Sequence, residues 1–412
     1  MSSKTLRFAN NATSENMKIL IVSQYYYPEQ FQINEIAPEL VKRGHDVTVI
    51  CGIPNYPKGK VFPGYEDKFE ETICGVKVIR VKQIPRGHNT VQLIRNYWSY
   101  VRNANRYLSK FDQNFDVVLG YQLSPVTSML PAIKYSKAAG IPSLLYVLDI
   151  WPASGQSHLL FNNGILYKLL RNISKKIYRS ADRLLVTSMP FSSYLENVNK
   201  VPHNHIGYLP QHADSSMLSM DLSKGTDSII NFMFAGNLGS GSKVDIIVKA
   251  VNELKNRSDF KIHLVGDGSQ RNVLEKLVSD LGLADKVLFH GNQKREDMPG
   301  FYKMADVLLL TLRGDNEVGN TMPGKLQMYM TAGKPILGAI NGAAMEVIND
   351  SKCGKCVTAG DYIGLANLMQ DYLDNRKAYE SCGINARNYF MQNFTLEKHI
   401  NSLEQELLAL IK

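Results

Sequence analysis

Short apolar runs, each closed by a polar or glycine-containing loop and followed by a stretch with helical spacing, recur along the chain and restart once. Lys18–Ser23 is the first such run. Residues 33–43 then carry Ile33, Ile36, Ala37, Leu40 and Val41 at helical spacing and stop at Gly44, which suits the left-handed end of a helix. Further strands are expected over 46–51, 76–81, 117–120, 143–148, 183–187 and 206–209, with helices near 91–109, 125–139 and 164–180. The pattern begins again at Ile230–Ala235, just before Gly236. It continues with strands over 261–265, 286–290, 305–311, 335–340 and 355–357, helices over 244–256 and 270–282, and closing helices from 362. Strands that alternate with helices form parallel sheets, so the fold class is α/β with two doubly wound halves. A chain of 412 residues has room for two domains. The expected boundaries are a disordered extension over 1–16, a first domain over 17–210, a polar linker over 211–228 and a second domain over 229–395. A C-terminal helix over 396–412 has the first domain as one place to pack. Open sheets of this class bind ligands beyond the carboxyl ends of their strands, and two halves joined once are expected to face a shared cleft.

Charge is divided unevenly between the halves. Residues 1–200 hold 25 Lys and Arg against 14 Asp and Glu, and residues 201–412 hold 22 against 24. From Thr72 to Phe111 there are eight basic residues and no acidic one. Such a surplus fits an anionic partner such as a membrane surface, a nucleic acid or a diphosphate, or simply a solvated basic face. Overall, 44% hydrophobic and 21% charged residues exclude a disordered, collagenous or coiled-coil chain. No apolar run reaches the length of a membrane span, and the first residues lack the apolar core of a signal peptide. The five cysteines, an odd number in a long chain, fit a reducing cytoplasm and no disulfide framework.

Three segments of the second half suit a phosphate. Gly236-Asn237-Leu238-Gly239, with Ser240 after it, closes one strand, and Gly266-Asp267-Gly268 closes the next. Glycines there let backbone N–H groups approach an anion at a helix start; a tight turn is the plainer reading. In Thr321–Pro335, a Pro-Gly pair opens a helix at Lys325 that ends at Gly333, and Lys325 is either a cation for a diphosphate or a solvated side chain. In the first half, Asp149 ends a strand, where a carboxylate orients a hydroxyl, accepts its proton, or caps a turn. Tyr25, Tyr26 and Tyr27 follow the first strand and either stack on a sugar or pack. Cys353 and Cys356 have metal or redox spacing without a second pair and read as structural thiols, and the nine histidines form no zinc motif. Residues 93–110 and 165–179 are basic and amphipathic, which suits an anionic bilayer or a core-facing helix with a basic outer side.

Taken together, YYYPEQ (25–30), RGHDVTVI (43–50), PNYPKGKVFPGY (54–65), DIWPAS (149–154), FAGNLG (234–239), VGDG (265–268) and PGKLQMYMTAGKPILGAING (323–342) resemble family 4 retaining glycosyltransferases. The similarity runs over about residues 17 to 400 and is nearest to the bacterial O-antigen and capsule branch, similar to L-fucosamine transferases. It implies the GT-B fold, two Rossmann-like domains facing a central cleft. The second would bind a nucleotide-diphosphate sugar, UDP-linked by analogy, with no metal and no cofactor. The first would bind a polyprenyl-diphosphate-linked saccharide on the cytoplasmic face of an anionic membrane. The resemblance implies donor contacts at Gly236, Asn237, Leu238, Gly239, Ser240, Lys243, Gly266, Asp267, Gly268, His290, Gly291, Glu317, Thr321, Pro323 and Gly324. Acceptor contacts fall on Tyr25, Tyr26, Asn55 and Trp151, and catalytic roles on Asp149 and Lys325.

The chain also departs from the family. Asn237 and Ser242 stand where Arg and Lys are common on the diphosphate, with Lys243 one residue on. Asn320 and Met328 replace two glutamates, Tyr146 replaces a histidine, and Gln211-His-Ala-Asp214 replaces an Asn-Gly motif after the linker strand. A nucleotide-sugar 2-epimerase shares the architecture but needs an acid/base set that is not legible here. The missing glutamates leave open a non-catalytic nucleotide-sugar-binding scaffold. Nucleic-acid binding lacks a recognition motif and is not expected.

Overall fold

The computed structural model describes residues 16–87, 89–111, 113–153, 164–224, 228–314 and 322–412. Two sheets carry the chain. The first has eight strands: β1 (Lys18–Val22), β2 (Asp46–Gly52), β3 (Glu70–Ile73), β4 (Val76–Val81), β5 (Val117–Gln122), β6 (Ser143–Val147), β7 (Arg183–Val186) and β8 (Ile206–Tyr208). Their order is β3-β4-β2-β1-β5-β6-β7-β8. β1 is central and parallel to both neighbours, with Leu20 opposite Thr48 on one side and Val118 on the other. Its helices are α1 (Ile33–Lys42), α2 (Thr90–Leu108), α3 (Leu130–Ala139), α4 (Gly164–Tyr178) and α5 (Met189–Asn197).

The expectation of parallel pairing fails at one edge. β3 runs antiparallel to β4, with Thr72 opposite Lys77. Cys74 and Gly75 turn the chain with φ of 49° and 81°, the positive pair of a tight hairpin whose twist matches its strands. Glu70 and Thr72 are exposed, so β3 offers no continuous apolar run to read.

The second sheet has six strands: β9 (Ile230–Ala235), β10 (Phe260–Val265), β11 (Val287–Gly291), β12 (Val307–Thr311), β13 (Ile336–Ala339) and β14 (Gly354–Val357), in the order β11-β10-β9-β12-β13-β14. The pairings are parallel. Its helices are α6 (Asp245–Glu253), α7 (Arg271–Asp280), α8 (Met298–Met304), α9 (Gly324–Ala332), α10 (Gly342–Ser351), α11 (Tyr362–Asp374) and α12 (Cys382–Asn393), and α13 (Leu396–Ile411) follows them. β9 is apolar on both sides because both faces are covered. Ile230, Phe232 and Phe234 enter a core with α6 and α11, while Met233 and Ala235 enter another with α9 and α12.

The chain divides into two compact units. One takes the described residues up to Pro152 with Ile165–Leu184 and Glu404–Lys412, and the other takes Leu185–Leu403. Within the first, Glu404 accepts from Arg43 Nη1 at 2.9 Å and lies 2.8 Å from His45 Nε2, and Arg183 pairs with Glu406 at 2.8 Å. Among the described residues no helix is long and apolar enough to cross a membrane.

Candidate functional site

The site in the second sheet is built where β9 and β10 end side by side. Each strand runs into a glycine with positive φ, 143° at Gly236 and 135° at Gly266. A Cβ on Gly266 would stand 2.0 Å from the Gly236 carbonyl oxygen, so only glycine lets the two turns touch. The loops are then tied together, because Leu238 N–H donates to the Asp267 carbonyl and Gln270 N–H to the Leu238 carbonyl, each at 2.9 Å.

Helix α9 begins against these turns. Pro323 is its extended N-cap and supplies no side-chain acceptor, so the first N–H groups of the helix stay available. Lys325, in the first turn, crosses in front of Gly236, whose missing Cβ would lie 2.6 Å from Lys325 Cε. Its ammonium sits 3.7 Å from the centroid of the buried Phe234 ring. A cavity of about 420 Å³ opens here, lined by Gly236, Asn237, Gly266, Asp267, Asn292, Gln293, Met298, Tyr302, Lys325 and Met328. Burial lowers the Lys325 ammonium to about 7, with no carboxylate opposing the shift. The carboxylate that lines the cavity, Asp267, is engaged by Arg271 at 3.3 Å. A buried cation beside backbone donors at a helix start is suited to an anion of high charge.

Five of the predicted positions therefore meet at one cavity: Gly236, Asn237, Gly266, Asp267 and Lys325. Gly268 abuts it, since a Cβ there would strike Asn237 Oδ1 at 2.4 Å. Pro323 and Gly324 open the helix that carries Lys325. The Leu238 side chain is wholly buried in the core, and its N–H and carbonyl are the groups that tie the two loops together.

The remaining expected donor contacts stand elsewhere or lie outside the described residues. Gly239, Ser240 and Lys243 line a different cavity, of about 460 Å³ between α6 and α7, with Lys249, Lys276 and Asp280. Lys243 ends a short 3-10 turn at φ 48°, and its side chain is exposed. His290 faces His263 instead, at 2.9 Å between ring nitrogens, and packs edge-on to Phe301. The cavity meets Asn292 and Gln293 in place of His290 and Gly291, and Gln293 is held by donating to the His290 carbonyl at 2.6 Å. Glu317 and Thr321, like Asn320, lie outside the described residues.

At the strand ends of the first sheet, Tyr25 and Tyr26 are 2% and 1% exposed. The Tyr25 ring stacks on Phe31 and leans on Tyr56, so neither tyrosine offers a face to a sugar; Tyr27, 46% exposed, does. Asn55 is also closed off. Its amide donates to the Ile53 carbonyl, its side-chain oxygen accepts from Arg86 N–H at 2.9 Å, and its own N–H donates to Glu29 at 2.8 Å. These buried aromatic and amide groups pack and brace the strand ends.

Asp149 follows β6, with its carbonyl taking Gln122 Nε2 at 3.1 Å and its carboxylate accepting the Ser124 hydroxyl. Trp151 beside it is half-buried. Sequence reasoning missed the buried amides that brace these ends. Gln24 donates to Asn96 Oδ1 at 2.9 Å, Asn96 to the Ile84 carbonyl at 2.6 Å, and Gln83 to the Ile53 carbonyl at 2.7 Å. Their signal was available, since Gln24 and Gln83 each stand just beyond an apolar strand. Glu29 was missed as well. One of its oxygens accepts the N–H groups of Asn55 and Tyr56, the other is buried without a partner, and burial raises the carboxyl to about 7. Among the described residues no three His, Cys, Asp or Glu side chains gather as a metal site would require.

Comparison with known proteins matches both halves. Residues 30–211 fit the family model of the glycosyl transferase 4-like domain, and residues 224–389 fit that of glycosyl transferases group 1. Over 154 residues the chain is 28% identical to the GDP-mannose-dependent alpha-(1-6)-phosphatidylinositol monomannoside mannosyltransferase of Mycolicibacterium smegmatis, a match covering 36% of this chain and 40% of that relative's length. It is 23% identical over 381 residues to mannosylfructose-phosphate synthase of Agrobacterium fabrum, covering 84% of this chain and 80% of the other. Among solved structures, Anabaena HepE in complex with UDP and glucose superimposes with a TM-score of 0.67 at 16% identity, over 96% of this chain and 100% of that one.

Proposed function

The chain is a group 1 glycosyltransferase of the GT-B fold, and on that premise we propose that it moves a sugar from a nucleotide-diphosphate donor to a lipid-linked saccharide in surface polysaccharide synthesis. The observation that carries this reading is Lys325, a half-buried lysine with no carboxylate partner among the described residues, at the start of α9 and beside two knitted glycine turns. A diphosphate there regains by charge-assisted hydrogen bonds what the bare ammonium loses by desolvation. The donor's nucleotide is uridine diphosphate, a reading supported by the UDP bound in HepE. An N-acetylated deoxy sugar, as in the O-antigen and capsule branch, is the donor sugar we favour.

Transfer is proposed to proceed with retention and without a metal. The leaving diphosphate, steadied by Lys325 and the helix start, helps take the proton of the acceptor hydroxyl on the same face of the sugar ring. The chain then contributes position and charge, not a nucleophile. We assign the donor to a domain over 229–395 and the acceptor to one over 17–210, where Asp149 orients the hydroxyl, with Trp151 two residues on and Tyr27 after the first strand as further contacts. The final helix over 396–412 is assigned to the first domain.

Peripheral attachment to the cytoplasmic face of the membrane completes the proposal. On α2, Val91, Ile94 and Trp98 are 66%, 45% and 55% exposed and share a face with the exposed Arg95, Arg102 and Arg106. The opposite face, with Asn96, Tyr100, Val101, Ala104 and Leu108, is buried. On α4, Ile165 and Leu169 are exposed among Lys168, Arg171 and Lys176. Exposed apolar side chains framed by cations fit an anionic bilayer. Calorimetric titration with UDP tests the donor site. Binding is expected for the native chain and weaker by about 1–3 kcal/mol for Lys325→Met; equal affinity would reject the assignment of Lys325.

A further inference from the structure

The end of β9 is held by a side chain where a strand would be expected. Pairing of β9 with β12 stops at Met233, opposite Leu308, while pairing with β10 continues to Ala235. Gly236 N–H donates toward β10, to the Val265 carbonyl at 2.8 Å. In a parallel sheet successive residues point their backbone groups to opposite sides, so the N–H and carbonyl of Ala235 point to the side that β12 has left. Both groups are taken by one hydroxyl. Tyr329 Oη accepts the Ala235 N–H at 2.8 Å and donates to the Ala235 carbonyl at 3.2 Å. Tyr329 is fully buried on α9, one turn after Lys325 and on the same face of the helix. The three consecutive residues it secures all bear on that lysine. Phe234 lies under the ammonium, Ala235 receives the hydroxyl, and Gly236 leaves the gap that Lys325 crosses.

We infer that Tyr329 is a positioning residue: its hydroxyl latches α9 to the end of β9 and thereby fixes where the Lys325 ammonium stands in the cavity. This rests on the donor reading of that cavity for its functional meaning, though the latch itself does not. Among the described residues, few charged or titratable groups line the cavity with Lys325. Asp267 lines the same cavity and is held by Arg271, Tyr302 closes its wall, and Tyr329 lies beneath. Without the hydroxyl, two buried backbone groups lose their partner, the strand end and helix start separate, and water reaches the ammonium.

The test is competitive acetic anhydride labelling of the free full-length protein across pH, with Lys325 followed by peptide mass spectrometry. Tyr329→Phe keeps the ring and removes only the oxygen. Tyr379→Phe is the control, since it removes another buried hydroxyl of the same unit, one that donates to Asp371 at 2.6 Å. The latch predicts that the Lys325 labelling midpoint rises by about one pH unit in Tyr329→Phe and stays at the native value in Tyr379→Phe, even where the two variants lose equal thermal stability. It also predicts UDP affinity about tenfold weaker in Tyr329→Phe alone. An unchanged midpoint in Tyr329→Phe overturns the inference and leaves Tyr329 a packing residue. If the native chain binds no UDP, the donor reading fails, while the labelling midpoint still decides the latch.

Discussion

Two ionisable side chains that burial holds near 7 give the protein a pH dependence, Lys325 in binding and Glu29 in stability, and both effects weaken as pH rises. Lys325 in the free protein is held near 7, so at pH 8 it is largely neutral. A bound diphosphate restores its ordinary range, and binding at pH 8 is therefore expected to take up as much as one proton. Titrations with UDP in two buffers of different ionisation enthalpy read this directly, and Lys325→Met is expected to abolish the difference between them. Glu29 works on stability. Its carboxyl is raised to about 7 in the native state from 4.5, so the folded chain holds the proton over a range where the unfolded chain has lost it. The contribution is complete below 4.5 and is lost as pH rises to 7, a loss of up to roughly 3 kcal/mol. Glu29→Gln retains an acceptor for Asn55 and Tyr56 N–H and does not ionise. Urea unfolding at pH 5 and pH 7.5 is expected to favour the variant at the higher pH, whereas a constant difference between variant and native chain would assign the pH dependence elsewhere.

At the scale of elements, the meeting of β9, β10 and α9 depends on glycine at two neighbouring turns, Gly236 and Gly266. Gly266→Ala pushes a methyl into the Gly236 carbonyl at a φ of 135°, and steric and backbone strain are each expected to cost about 1–3 kcal/mol. Gly241→Ala, where a Cβ meets open space, serves as control. Thermal unfolding should fall and UDP binding weaken only in the first; equal melting of the two would mean that the turns can part without cost. The same elements show what a sequence reveals. Ile230–Ala235 was read to the residue because a run apolar but for Asn231 stops at glycine, and α9 because Pro-Gly opens it and Gly333 closes it. The hairpin of β3 and β4 was not legible, since its outer strand alternates on an exposed edge. Helices α5 and α8 were missed because each is short and has proline in its first turn, which breaks up the apolar period. The place of Lys325 at a helix start was legible, whereas the placing of Lys325 and Lys243 at different cavities was not, because it depends on tertiary packing. Tyr25, Tyr26 and Asn55 were read as contacts from their place after strands, and the packing that closes over them is tertiary. Tyr329 carried no signal at all, since its role arises only where β9 and β12 part.

For the whole molecule, a surplus of basic residues confined to residues 1–200 accompanies exposed apolar side chains on α2 and α4. Each Lys or Arg near an anionic bilayer contributes about 1 kcal/mol, with the attraction confined to roughly a Debye length. Sedimentation with anionic liposomes is expected to carry the protein down, to weaken as salt rises, and to fail when Lys168, Arg171, Lys175 and Lys176 are neutralised together. Binding to neutral liposomes alone would assign the exposed apolar residues to another partner. The central claim, transfer of a sugar from a nucleotide-diphosphate donor, is most directly tested by mass spectrometry of the products. The full chain would be incubated with a panel of UDP-linked N-acetylated deoxy sugars and a polyprenyl-diphosphate-linked saccharide. The account predicts an acceptor heavier by one sugar residue, joined with the anomeric configuration of the donor and no longer formed by Lys325→Met. An epimerised donor with an unaltered acceptor, or donor binding without any new product, would contradict it.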